Sequence, residues 1–204
     1  MAIAQQILEY AGSLFDVVGA NRLSNTDSLL ILGLESTTER DLDEFGHSNG
    51  HFQIYGFEKH VRPRLEKLVN FIKNSGFSAR PVGRCGYPLE GEVNLKEMAI
   101  CAGIGKRGKN TLVLHPKYGT RLRFAAIKTN ALLAQSIVST LSEEENSICS
   151  GCSTCIDACP VNVLEPYRMT DPSICLSSSD IMDEKEGRLT TCDTCLHLCP
   201  TNRV

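Results

Sequence analysis

The most constraining feature of this chain is a set of regularly spaced cysteines near its C-terminus. Cys149, Cys152, Cys155 and Cys159, followed at once by Pro160, spell C-x2-C-x2-C-x3-C-P. Cys192, Cys195 and Cys199, followed by Pro200, repeat the later part of that run, and Cys175 stands alone between the two. Two-residue gaps let a tight loop wrap three thiolates around one corner of an iron–sulfur cube, and the fourth cysteine of such a run serves the other cube in two-cluster proteins. Cys149, Cys152, Cys155 and Cys199 are therefore assigned to one [4Fe–4S] cluster, and Cys159, Cys175, Cys192 and Cys195 to the other. Pro160 and Pro200 fix φ and turn the chain away from the site. Zinc knuckles also use C-x2-C pairs, but they rarely need a third cysteine at x2 and a fourth at x3 before proline. A disulfide framework suits a secreted chain, and no secretory signal is read here.

The spacing divides the sequence. Residues 1–145 read as a cysteine-poor α+β domain, and 146–204 as the cluster module. At 204 residues, 22% charged and 42% apolar, the chain has room for a core plus a compact appendage. The net charge of −3 offers no global attraction to phosphates, so nucleic acid is not expected as a partner. No apolar run approaches membrane-spanning length, and a cytoplasmic location with no membrane association is expected.

Apolar residues at Ile3, Ile7, Ala11, Leu14 and Val18 predict an opening helix with Gly19 as its stop. Residues 29–34 predict a buried strand, and 36–50 a polar loop. A second helix is expected over 57–75, its regular part beginning near Pro63, with Gly76 beyond. Asn94 predicts the cap of a third helix, with Glu97 at the capping-box position. Residues 111–114 and 121–129 read as two strands around the turn at 115–119. Residues 103–108 match G-x-G-x-x-G, but they follow a helix and precede a strand, the reverse of the dinucleotide fingerprint. Gly103, Gly105 and Gly108 still permit close backbone approach, and Lys109 with exposed N–H groups could meet an anionic or amide-bearing ligand; a plain tight connection between helix and strand is the alternative. Cys85 and Cys101 are left over and read as small buried hydrophobes. None of the five histidines shows metal-site spacing, and His197, between two cluster cysteines, is a candidate hydrogen-bond donor to the cluster.

Residues 95–112, LKEMAICAGIGKRGKNTL, resemble a segment shared by epoxyqueuosine reductases and corrinoid-dependent reductive dehalogenases. Residues 118–124, YGTRLRF, with Lys128 and Thr129 and with Asn130 in place of the usual Asp, resemble the segment that follows it. The likeness extends through the double-cluster run, including Cys175. It implies a nitroreductase-like, cobalamin-domain-like sheet with helices, followed by a bacterial ferredoxin-like two-cluster module. It also implies that Gly103, Gly105, Gly108, Lys109 and Asn110 help to hold cobalamin. Electrons would pass through both clusters to a site in the N-terminal domain. An electron donor of ferredoxin or flavodoxin type and a small-molecule or protein acceptor are implied as partners. The family's proton donor is an Asp just before a helix bearing RLxKL. Residues 64–68, RLEKL, supply that segment, Gly56 occupies the donor position, and Tyr55 and Glu58 are the candidate acids. The N-terminal half is shorter than in the full reductases, and the family's C-terminal repeats are not seen, so epoxyqueuosine is not the expected substrate. The alternative is a ferredoxin-like electron-transfer partner without substrate chemistry of its own.

Overall fold

The computed structural model describes residues 3–44, 46–48, 51–83, 92–133, 146–177 and 192–202. Its centre is a four-stranded antiparallel sheet in the order β1-β2-β8-β5, formed by β1 (Val17–Arg22), β2 (Ser28–Glu35), β5 (Ala79–Val82) and β8 (Leu122–Thr129). Side chains alternate across a strand, so β2 sends Leu30, Leu32 and Leu34 to one face and Leu29 and Ile31 to the other. β8 divides likewise, with Ala125 and Ile127 on the first face and Leu122, Phe124 and Ala126 on the second.

On the first face, helices α1 (Ile3–Leu14) and α2 (Arg62–Asn74) contribute Ile7, Ala11, Leu65, Leu68 and Ile72 to the core. On the second lie α3 (Leu95–Cys101) with Ala99, and then Ile104 and Val113. Each fully buried aliphatic side chain contributes about 1.5–3 kcal/mol. The middle strands are thus dry on both faces of this mixed helix-and-sheet layering.

Several local expectations are corrected. The first helix ends at Leu14, and Val18 and Gly19 belong to β1. Gly19 is a close-packing position: a Cβ there would lie 2.7 Å from the Ala102 Cβ. The stretch expected to be loop over 36–50 contains β3 (Gly46–Ser48), paired with β4 (His51–Gln53). A π-helical turn, Phe57–Val61, leads into α2, with Pro63 at its second position. Asn94 caps α3 as expected, its side chain accepting the Glu97 N–H at 3.3 Å. The two strands expected around residues 115–119 do not form a hairpin. β7 (Val113–Leu114) pairs instead with β6 (Lys106–Arg107), while β8 joins the main sheet between β2 and β5. Cys85 lies outside the described residues, as do residues 134–145, which include the ambiguous end of a segment over 131–141 and the acidic run at 143–145, a solvated charge run by composition. Ala131 and Leu133 of that segment are buried in the first-face core.

The cysteine-rich region is built from small pieces: a 3-10 turn at Ser147–Cys149, α4 (Thr154–Asp157), the β9 (Leu164–Glu165)–β10 (Arg168–Met169) pair, α5 (Pro172–Ser177), α6 (Thr194–His197) and a closing turn at Pro200–Asn202. Among the described residues, no helix is long and apolar enough to cross a membrane.

Candidate iron–sulfur centre

β6 and β7 form a short ribbon whose tip, residues 108–112, reaches the cysteine loops. The tip is self-braced. Gly108 N–H donates to the Leu112 carbonyl at 2.8 Å, and Leu112 N–H donates to Asn110 Oδ1 at 3.2 Å. Gly108 is required because a Cβ there would stand 2.6 Å from Asn110 Oδ1. Gly103 terminates α3, its N–H donating to the Ile100 carbonyl, and Gly105 packs against the Leu114 carbonyl.

From this tip the two residues expected to meet a ligand meet the cysteine-rich region. Lys109 Nζ donates to the Cys152 carbonyl at 3.0 Å, and the Lys109 backbone N–H reaches the Cys149 sulfur. Asn110, 2% exposed, donates from Nδ2 to the Cys195 carbonyl at 3.0 Å. Buried Asn146 donates to the Arg107 carbonyl at 3.1 Å, and its Oδ1 accepts the Ile148 N–H, capping the turn that carries Cys149. A second tie joins the start of β8 to the closing turn. Thr120 N–H donates to Asn202 Oδ1 at 3.0 Å, and Asn202 Nδ2 donates to the Leu196 carbonyl at 2.6 Å. Sequence reasoning missed Thr120, Asn146 and Asn202. The signal for Asn202 was Cys-Pro-x-Asn, present after both Cys159 and Cys199.

Cys149, Cys152, Cys155 and Cys199 line one cavity of about 70 Å³, together with Lys109, Asn110, Leu114, Ile148, Pro200 and Thr201. Those four are one of the two ligand sets read from the spacing. The other four cysteines also lie near one another: Cys175 feels the charges of Cys192 and Cys159, and Cys195 those of Cys175, Cys192 and Cys159 together with Cys155 of the first set. Among the described residues, no group of three or more His, Cys, Asp or Glu is placed to hold a metal ion. Thiols ranged around a cavity suit a body of several atoms, whereas zinc draws its four ligands to a point.

Threonine hydroxyls stand within hydrogen-bonding reach of three of the sulfurs. Thr201 Oγ1 lies 3.1 Å from Cys199 Sγ, Thr154 Oγ1 3.5 Å from Cys152 Sγ, and Thr194 Oγ1 3.6 Å from Cys192 Sγ. The Thr154 hydroxyl and N–H hold the Cys152 thiol below its usual range. Burial pushes Cys149, Cys155 and Cys175 up, and Cys195 up to about 12. Lys96 lies beside Cys195 and Cys175, and burial pulls its ammonium down. A set of thiols this desolvated favours thiolates only when a cationic inorganic core compensates them.

The remaining expected site residues lie elsewhere. Glu58 is ion-paired with Arg62 on the exposed side of the π turn, and Tyr55 is 37% exposed; neither lines the cysteine cavity. Gly56 is held by packing, since a Cβ would strike the Asp41 carbonyl. His197 pairs with Asp193. Cys101 is partly buried, and burial raises its thiol.

The profile of the 4Fe-4S double cluster binding domain matches residues 148–202. The chain is 37% identical over 99 residues to the epoxyqueuosine reductase of Listeria monocytogenes, covering 47% of this chain and 24% of that protein. It is 30% identical over 122 residues to a tetrachloroethene reductive dehalogenase of Desulfitobacterium hafniense, covering 58% of this chain and 21% of that one. These matches span about a quarter of each relative's length. In three dimensions, a selenomethionine-labelled epoxyqueuosine reductase superposes with a TM-score of 0.69 at 18% identity, over 98% of this chain and 66% of the other. A catabolic reductive dehalogenase in complex with 3-bromo-4-hydroxybenzoic acid gives a TM-score of 0.65 at 16% identity, over 97% and 31%. Residues 148–202 are thus an iron–sulfur, double [4Fe–4S] cluster domain, carried by a chain homologous to the epoxyqueuosine reductases and the reductive dehalogenases.

Proposed function

We propose that this chain is an iron–sulfur oxidoreductase whose two [4Fe–4S] clusters relay electrons to a site in a nitroreductase-like N-terminal domain, residues 1–145, from a cluster domain at 146–204. One observation carries the reading: Lys109 and Asn110, consecutive residues of the sheet region, grip the Cys152 and Cys195 loops. A free-standing carrier needs no such grip, whereas a relay into the sheet region needs its clusters held at fixed reach. Each cluster supplies one-electron chemistry when bound. The chain's own residues orient the thiolates, exclude water and hold the loops. A ferredoxin- or flavodoxin-type donor would feed the clusters, and a cytoplasmic location fits that supply.

Cobalamin is the acceptor suggested by the relatives, one of whose structures is described as bearing on B12-dependent dehalogenation. The residues proposed to hold it do not fit that task as they stand, because the Lys109 and Asn110 side chains are taken up by the cysteine loops. The second reading, an electron-transfer partner without substrate chemistry, is favoured by the Glu58–Arg62 pair, which leaves that carboxylate an ordinary surface group.

Anaerobic reconstitution with iron, sulfide and cobalamin separates these readings. The protein should turn brown and retain about eight irons and eight sulfides, as two cubes require. A colourless preparation rich in zinc would refute the cluster reading. Turnover of an epoxide or organohalide by the reconstituted chain alone would favour the reductase. Donation of electrons to a partner with no turnover would favour the carrier.

A further inference from the structure

The two cysteine runs can be laid over each other from Cys152 and Cys192 onward. Thr154 matches Thr194, Cys155 matches Cys195, Cys159 matches Cys199, and Asn162 matches Asn202. Thr154 and Thr194 stand at nearly equal distances, 3.5 and 3.6 Å, from the matched sulfurs of Cys152 and Cys192. Each ligand set also has a lysine nearby: Lys109 beside Cys149 and Cys152, and Lys96 beside Cys195 and Cys175. The symmetry fails two residues after the exchanged cysteine. There Thr201 places Oγ1 3.1 Å from Cys199 Sγ, while the matched residue after Cys159 is Val161, which has no hydroxyl.

A thiolate bound to iron carries no proton, so the Thr201 hydroxyl must be the donor. A hydrogen bond to a ligand sulfur disperses its negative charge and stabilises the reduced, more negative cluster. Because the ligands are exchanged between runs, Thr201 acts on the cluster held by Cys149, Cys152 and Cys155, not on that of its own run.

We infer that Thr201 raises the reduction potential of the Cys149/Cys152/Cys155/Cys199 cluster above that of its neighbour, so that an electron entering either cluster comes to rest on the one whose cavity Lys109 and Asn110 line. The inference rests on the two-cluster reading and on the exchange of ligands between runs.

The test is a potentiometric titration of the reconstituted full chain, followed by electron paramagnetic resonance, with dithionite supplying one electron to each cluster. Thr201→Val should lower the higher of the two midpoints and leave the lower in place. The shift should equal roughly a three- to tenfold change in the reduced-to-oxidised ratio, tenfold being 59 mV for one electron. Thr201→Ser, which keeps the hydroxyl, should restore the original value. Val161→Thr should raise the lower midpoint, and it carries the test if the Thr201→Val protein does not retain its iron. Unchanged midpoints in iron-replete Thr201→Val, or movement of the lower one, overturns the inference, as does an unmoved lower midpoint in Val161→Thr. A wild-type iron content far below eight sinks the cluster reading instead, which keeps the two failures distinct.

Discussion

The sheet region buries Leu30, Leu32, Leu68 and Ile72 completely, whereas the apolar cluster of the cysteine-rich region comprises Cys159, Val163 and Leu164. The first region is held by the ordinary exclusion of apolar surface from water. The second has helices of four to six residues, too short to persist alone. It is held from within by what its thiols bind and from outside by ties to residues 107–110 and 120. A fold whose interior is inorganic depends on its cofactor as other folds depend on leucine.

The most severe way to break this contrast is to strip the metal. Chelation under reducing conditions should release amide protection over residues 146–202 while the β2 and β8 amides stay protected, read by hydrogen exchange. Equal loss in both regions would mean that the sheet region, too, leans on the clusters. Next in size, Leu30→Ala or Leu68→Ala should cost about 2–5 kcal/mol in denaturant unfolding of the sheet, with iron content at saturating iron and sulfide nearly unchanged. Asn110→Ala should cost about 1–3 kcal/mol by orphaning the partly buried Cys195 carbonyl. It should also speed iron loss, seen as faster bleaching under chelator; bleaching at the wild-type rate would deny the tip its role.

Cluster uptake should also depend on pH. Cys149, Cys155, Cys175 and Cys195 have thiols raised by burial and must lose protons to bind. Binding therefore releases protons, and the yield of reconstitution should rise as pH increases from 6 toward the usual thiol range and fall as it decreases. A flat profile would contradict this assignment of the bound form. Smallest of all, Glu58→Gln removes an exposed pair with Arg62 and should change stability by no more than about 0.5 kcal/mol. A large loss of turnover in a catalytically active preparation would instead restore Glu58 as an acid.

What the sequence disclosed follows from how local each signal is. The cysteine runs were legible because cube geometry dictates gaps of two and three residues within one loop. The Asn94 cap and the α2 stripe lie within a turn or two of their partners and were legible for the same reason. β1 and β5 were not: Gly19 read as a helix stop, and Pro81 interrupts the four residues of β5. One turned out to be a close-packing position beneath α3; the other sits on an edge strand, where proline is tolerated. The β6–β7 pairing was hidden by the shortness of both strands. Lys109 and Asn110 could be singled out as polar groups on a glycine-rich loop, but their partners lie 43 and 85 residues further along. Nothing in local composition tells a loop built to hold a small molecule from one built to hold another part of the same chain.

The grip of the β6–β7 tip has a mechanical corollary. Adjacent α-carbons are about 3.8 Å apart across a single rigid peptide link, and Lys109 and Asn110 attach that link to one loop from each half of the module. The link acts as a spacer, so thermal breathing carries both inorganic centres together instead of parting them. Tunnelling rates decay exponentially with separation, so under the relay proposed above a hop whose length is pinned in this way should keep a steady pace when the rest of the protein flexes.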